Sequence, residues 1–102
     1  MNMGGCVVSR NILEGLGRLK WCVRDASVNE VDTGWRFFSD IDTEEFLSDH
    51  KNMSVCKYET VIDIEPAVLG IYDFPQGTDL RLEQEGKRKF FVNNLDGKVI
   101  EF

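Results

Sequence analysis

The sequence predicts an α+β domain: one mostly antiparallel, curved sheet of about six or seven strands, carrying one or two short helices. Three stretches carry that prediction. Residues 78–84 alternate Leu80 and Leu82 against Asp79, Arg81 and Glu83, and turn signals follow at Glu85-Gly86-Lys87 and Asp96-Gly97. Residues 19–24 alternate as well, Leu19, Trp21 and Val23 against Lys20, Cys22 and Arg24, which reads as a strand with one buried face. Residues 34–47 pass from a strand-like to a helix-like pattern without a break, and the rest of the chain is arranged around this corner.

Taken in order, Gly4-Gly5 leads into a short strand of small and β-branched residues, Cys6-Val7-Val8-Ser9. Residues 10–18 contain Gly15 and Gly17 and read as a loop or a weak helical turn. The strand at 19–24 follows, then a polar stretch ending in the turn signal Asp32-Thr33-Gly34, so strands two and three are expected to pair antiparallel through a long connection. In the corner, Trp35, Phe37 and Ser39 share one strand face and Arg36, Phe38 and Asp40 the other. Asp42 is the expected N-cap of the next helix, Glu45 completes a capping box, and Ile41 with Phe46 forms a hydrophobic staple. That helix, residues 43–49, has a narrow apolar face and ends at His50-Lys51-Asn52. Residues 54–58 and 60–64 read as β segments, and Pro66 opens a short buried turn through Ile71. Phe74-Pro75-Gln76-Gly77 reads as a tight turn with Pro75 at its second position. Residues 89–93 and 99–101 are expected to flank the Asp96-Gly97 hairpin.

A chain of 102 residues is expected to form a single domain spanning residues 1–102, and folding should bury roughly 65% of its unfolded surface. The longest apolar run, Ala67-Val68-Leu69-Gly70-Ile71-Tyr72, is too short to cross a bilayer, and the N-terminus lacks the basic start and apolar core of a signal peptide. A cytoplasmic protein without a membrane partner is expected. The net charge of −6 disfavours nucleic acid, and the one basic cluster, Lys87-Arg88-Lys89, sits in a turn. Cys6, Cys22 and Cys56 are odd in number and contain no C-x-x-C pair, which argues against a disulfide framework or a structural zinc site. Cys6 and Cys22, inside apolar runs, read as buried inert thiols.

The carboxylates at the corner, Asp40, Asp42, Glu44 and Glu45, could hold a hard cation. Capping and the favourable placement of acids in a first helical turn account for them more simply. His50 has no partner histidine, no G-x-S-x-G elbow is present, and the glycines do not space as a phosphate loop. No catalytic residue, cofactor or metal site is therefore expected. Trp21 and Trp35 read as core residues, with Arg24 and Arg36 on the opposite faces, able to pair with Asp25 or Asp40.

Five stretches together resemble one family of small bacterial domains, domain of unknown function 2185, also classed as immunity protein 33. They are Gly5-Cys6-Val7-Val8-Ser9, Lys20-Trp21, residues 32–40 around Gly34-Trp35-Arg36-Phe37, Ile64-Glu65-Pro66 and Pro75-Gln76-Gly77-Thr78, and the likeness runs from about Gly4 to Leu82. The resemblance implies a bacterial cytoplasmic protein that binds and neutralises a toxin, with no catalytic residues to carry across. An acidic chain suits a basic partner, because complementary charge speeds encounter. The leading expectation is a non-enzymatic protein that binds a toxin domain through an acidic face, or pairs with a second copy of itself. The alternative is a housekeeping domain holding a small ligand or peptide near Trp35 and Arg36. Trp35, Arg36 and Asp40 are the expected binding residues.

Overall fold

In the computed structural model, which describes residues 2–101, the strands are β1 (Gly5–Ser9), β2 (Leu19–Arg24), β3 (Asp32–Ser39), β4 (Met53–Lys57), β5 (Asp79–Glu85) and β6 (Arg88–Asn93). Three short helices interrupt them: α1 (Arg10–Leu13), α2 (Glu44–Ser48) and α3 (Tyr58–Ile64). The strands form one sheet in the order β4-β1-β3-β2-β5-β6. Only β1 and β3 pair in parallel; every other neighbouring pair is antiparallel, including β2 with β3. This is the expected α+β domain. The expected seventh strand reduces to a bridge between Val92 and Val99, closed around the Asp96-Gly97 turn by Asn93 N–H to Lys98 O at 2.8 Å.

Alternation decides which sheet face is buried. Cys6 and Val8 of β1, Trp35 and Phe37 of β3, Cys22 of β2, Leu80 and Leu82 of β5 and Phe91 of β6 share one core with Tyr58 and Val61 of α3 and with Val68 and Ile71 of the 3₁₀ turn Pro66–Ile71. An aromatic run crosses this core. Trp35 stacks on Phe37 at 5.9 Å between centroids, Phe37 meets Tyr58 at 5.7 Å, and Tyr58 meets the edge of Tyr72 at 4.8 Å. Such offset and edge contacts suit the ring quadrupoles.

Several expectations need correction. Residues 60–64 are not a strand but part of α3. Tyr58 and Val61, three residues apart, are both fully buried, and a helix puts that spacing on one face; burial outweighs the β preference of Val61, Ile62 and Ile64. Trp21 is not in the core: it is 40% exposed while Cys22 is buried. The cause is a register shift between Leu19 and Trp21, where β2 places one more residue than β3 opposite it. The extra residue reverses the alternation, so Leu19 and Cys22 face inward and Trp21 faces out beside Phe38. The turn after Phe74 falls one residue later than expected, with Thr78 N–H donating to Pro75 O at 3.1 Å. The N-cap of α2 is Thr43, whose Oγ1 accepts from Phe46 N–H at 3.1 Å, and not Asp42. With the cap moved, Ile41 lies outside the staple position and is half exposed.

Candidate functional site

The two parallel strands end side by side. Ser9 closes β1 and Ser39 closes β3, and both side chains are fully buried. Each strand runs directly or nearly directly into a helix, so two polar strand ends converge and need an acceptor. Asp42 supplies it. Its carboxylate accepts from Ser9 Oγ at 2.9 Å, Asn11 Nδ2 at 2.9 Å, Ser39 N–H at 2.7 Å and Ser39 Oγ at 2.5 Å. Burial works against the charge, yet the bonds from Ser39, Asn11 and Ser9 outweigh it and hold the carboxyl below its usual range. Asp42 is thus a clamp between two chain reversals.

The loop after α1 is tied to the same corner. Asp40 N–H donates to Arg18 O at 2.9 Å, and Arg18 N–H donates back to the Asp40 carboxylate at 2.9 Å. Gly17 lies under Ile41: a Cβ there would fall 2.8 Å from Ile41 Cγ1 and 2.9 Å from Ser39 Cβ. Ile41 is 51% exposed, and Leu16, the residue before Gly17 in the chain, is 67% exposed. In the segment that follows β3, Asp40, Glu44, Glu45 and Asp49 are all exposed. Among the described residues none of the five acids from Asp40 to Asp49 takes part in an ion pair. The segment therefore carries several exposed acids without an ion-pair partner, next in sequence to the exposed Ile41.

A groove of about 560 Å³ borders it. Ile12, Leu19, Ile64 and Leu82 form its apolar lining, Asp40 and Arg18 stand at the end nearest the corner, and two ion pairs flank the remainder, Lys20–Glu83 and Lys89–Glu65, each at 2.6 Å.

The three expected binding residues do not converge. Trp35 is fully buried, donates its indole N–H to Tyr72 O at 3.1 Å, and lies under the Arg24 guanidinium at 5.8 Å. Arg36 projects from the opposite face of β3 and grips Asp32. Asp40 lies beyond the end of the strand, at the corner. The arginines do not pair with Asp25 or Asp40 as expected. Arg24 donates to the carbonyls of Thr33, Tyr72 and Phe74 at 2.9, 3.3 and 2.6 Å, and Arg36 takes Asp32. Leu16, Gly17 and Ile41 were missed as surface residues. The signal was the unexplained pair Gly15-x-Gly17 two residues ahead of a strand. Among the described residues, no three His, Cys, Asp or Glu side chains are placed to hold a metal ion, and no helix is long and apolar enough to cross a membrane.

The parallel strand pair within an otherwise antiparallel sheet, with the acid-rich corner at its end, describes a small α+β domain. The chain matches the family model described as the immunity protein Imm33 domain over residues 6–92, and it belongs to that family. No curated protein and no solved structure matches it.

Proposed function

We propose that this protein neutralises a basic toxin domain by binding it at the corner around Ile41 and Leu16 and along the adjoining groove, without catalysing a reaction. Membership of an immunity-protein family supplies the class of partner. The observation that carries the choice of face is the run of exposed acids without ion pairs from Asp40 to Asp49, together with the exposed apolar side chains of Ile41 and Leu16. A central apolar anchor within a charged rim is the anatomy of a protein interface. Uncompensated acids there would steer a cationic partner and raise its rate of encounter. The ion pairs along the groove are already matched, so they shape the surface more than they attract. Such a protein would act in the cytoplasm, where it meets its toxin.

The alternative is a small ligand or peptide near Trp35 and Arg36. A hollow of about 310 Å³ lies near them, lined by Arg24, Asp32, Thr33 and Tyr72 among others. Arg24, Asp32 and Thr33 of that lining are already hydrogen-bonded within the fold, which favours the corner as the surface that recruits a partner.

The test is to co-express the protein with basic toxin domains encoded by neighbouring genes of its source genome, isolate any complex, and map protection from hydrogen exchange. Rescue of growth, a complex that weakens with salt, and protection at residues 14–18 and 40–49 are expected. Failure to protect cells together with no complex at low salt overturns the immunity reading. Protection confined to other residues overturns the choice of face.

A further inference from the structure

The pairing of β1 with β4 sets Cys6 directly opposite Cys56, although 50 positions separate them in the sequence. Opposed residues of an antiparallel pair project to the same side. Here that side is the core: Cys6 is 1% exposed, and Cys56 packs half-buried against the same cluster. The Cys6 thiol points at its partner residue, with Sγ 3.5 Å from the Cys56 carbonyl oxygen. Two positions along the ladder, Tyr58 N–H donates to Gly4 O, which makes Cys6 and Cys56 a hydrogen-bonded pair, since the two kinds alternate. Opposed Cα atoms in such a pair lie about 5.5 Å apart, inside the roughly 4.4 to 6.8 Å that a disulfide spans, and closing the bond draws the Cβ atoms in to about 3.5 to 4.5 Å. Cys22 stands apart on β2, fully buried and separated from β1 by β3. Among the three thiols only Cys56 reaches solvent.

We propose that Cys6 and Cys56 form a peroxide-reactive dithiol, in which Cys56 is oxidised first and Cys6 resolves it into a disulfide linking β1 to β4. The Cys56 thiolate attacks one oxygen of a hydroperoxide. The O–O bond breaks, Cys56 becomes a sulfenic acid, and the departing oxygen takes up a proton as an alcohol or as water. Cys6 then attacks the Cys56 sulfur, expels the hydroxyl group as water with the Cys6 proton, and leaves the disulfide. Two thiols are oxidised by two electrons, and one peroxide is reduced. The local electrostatics assign the same roles. A hydrogen bond from the Cys6 thiol favours the charged form of Cys56 and lowers its pKa, burial opposing it, while the same contact and burial push Cys6 upward. The product would fasten β4, an outer strand of the sheet, to its neighbour.

The test uses the full chain, a modest excess of hydrogen peroxide, alkylation of remaining thiols and peptide mass mapping. The expected product is monomeric, has lost two hydrogen atoms, yields a cross-linked pair of peptides containing Cys6 and Cys56, and reverts with dithiothreitol, while Cys22 is alkylated only after unfolding. Cys56→Ser should abolish the link. Cys6→Ala should let Cys56 proceed to the sulfinic acid. Because Cys6 is buried, the unaltered chain provides the decisive result if that variant fails to fold. A sulfinic or sulfonic acid at Cys56 in the unaltered chain, a link between two chains, or no reaction while the chain stays folded overturns the proposal.

Discussion

Arg36 and Asp32, four residues apart on β3, are joined by two hydrogen bonds, Nη1 to Oδ1 at 2.9 Å and Nη2 to Oδ2 at 2.8 Å. Both side chains are nearly buried, 12% and 9% exposed, so this pair is not a solvent-screened surface contact. The guanidinium holds the Asp32 carboxyl far below the usual carboxylate range, helped by N–H groups of Gly34 and Val28. Asp32→Asn leaves Arg36 charged and unpaired, and should cost about 3 kcal/mol in urea unfolding at neutral pH. A lowered folded-state pKa means the unfolded chain binds the proton first. The contribution is therefore complete above about pH 4 and declines as pH falls below it. The gap between the wild type and Asp32→Asn should narrow on acidification, and a gap independent of pH would show that the charge is not what the pair contributes.

Asp42 should be as sensitive for a different reason. Its four donors come from Ser9, Asn11 and Ser39, and the Ser9 and Ser39 side chains are fully buried. Asp42→Ala strands those donors and should cost about 2 to 4 kcal/mol. Thr43→Ala, which removes the true cap of α2, should cost only about 1 kcal/mol. Thermal melts of the two variants decide the assignment. Equal losses would restore Asp42 to the role of a simple cap.

That contrast marks where sequence reasoning ran out. The alternation of Trp35, Phe37 and Ser39 was legible because one uninterrupted strand fixes which side each residue faces. The side of Trp21 was not legible, because one extra residue between Leu19 and Trp21 has no local signature and inverts the pattern after it. Asp42-Thr43 offers two adjacent capping residues. The choice was made by Ser9 and Asn11, which lie more than thirty positions away in sequence and arrive only once β1 and β3 align. The corner was half legible: its acids were seen, but the close approach of Gly17 to Ile41 is a tertiary contact.

Gly34 is the position where a methyl group should do most harm. Its φ is +87°, and an added Cβ would lie 2.1 Å from the Asp25 carbonyl oxygen, whose own N–H is bonded to Gly34 O. Gly86, in the β5–β6 turn, has a φ of +62° and open space around it. Gly86→Ala should cost about 1 kcal/mol, the strain of the left-handed backbone alone. Gly34→Ala adds a backbone collision and should lose several times as much, read by denaturant midpoint or by loss of soluble yield. Similar midpoints would mean that the β2–β3 connection yields.

The acidic corner makes a kinetic prediction, because rim charge and apolar anchor act on different rates. Glu44 and Glu45 are exposed in the first turn of α2, and Thr43 keeps the cap without them. Neutralising both, Glu44→Gln with Glu45→Gln, should cost no more than about 1 kcal/mol of stability. It should slow association with a basic toxin roughly three- to tenfold at low salt and flatten the salt dependence. Ile41→Ala should leave association nearly unchanged and speed dissociation about tenfold, since truncating a central anchor acts mainly on the off-rate. Surface plasmon resonance at two ionic strengths separates the two effects. If both variants bind like the wild type while the double variant melts lower, the corner acids serve only the helix start, and the partner docks elsewhere.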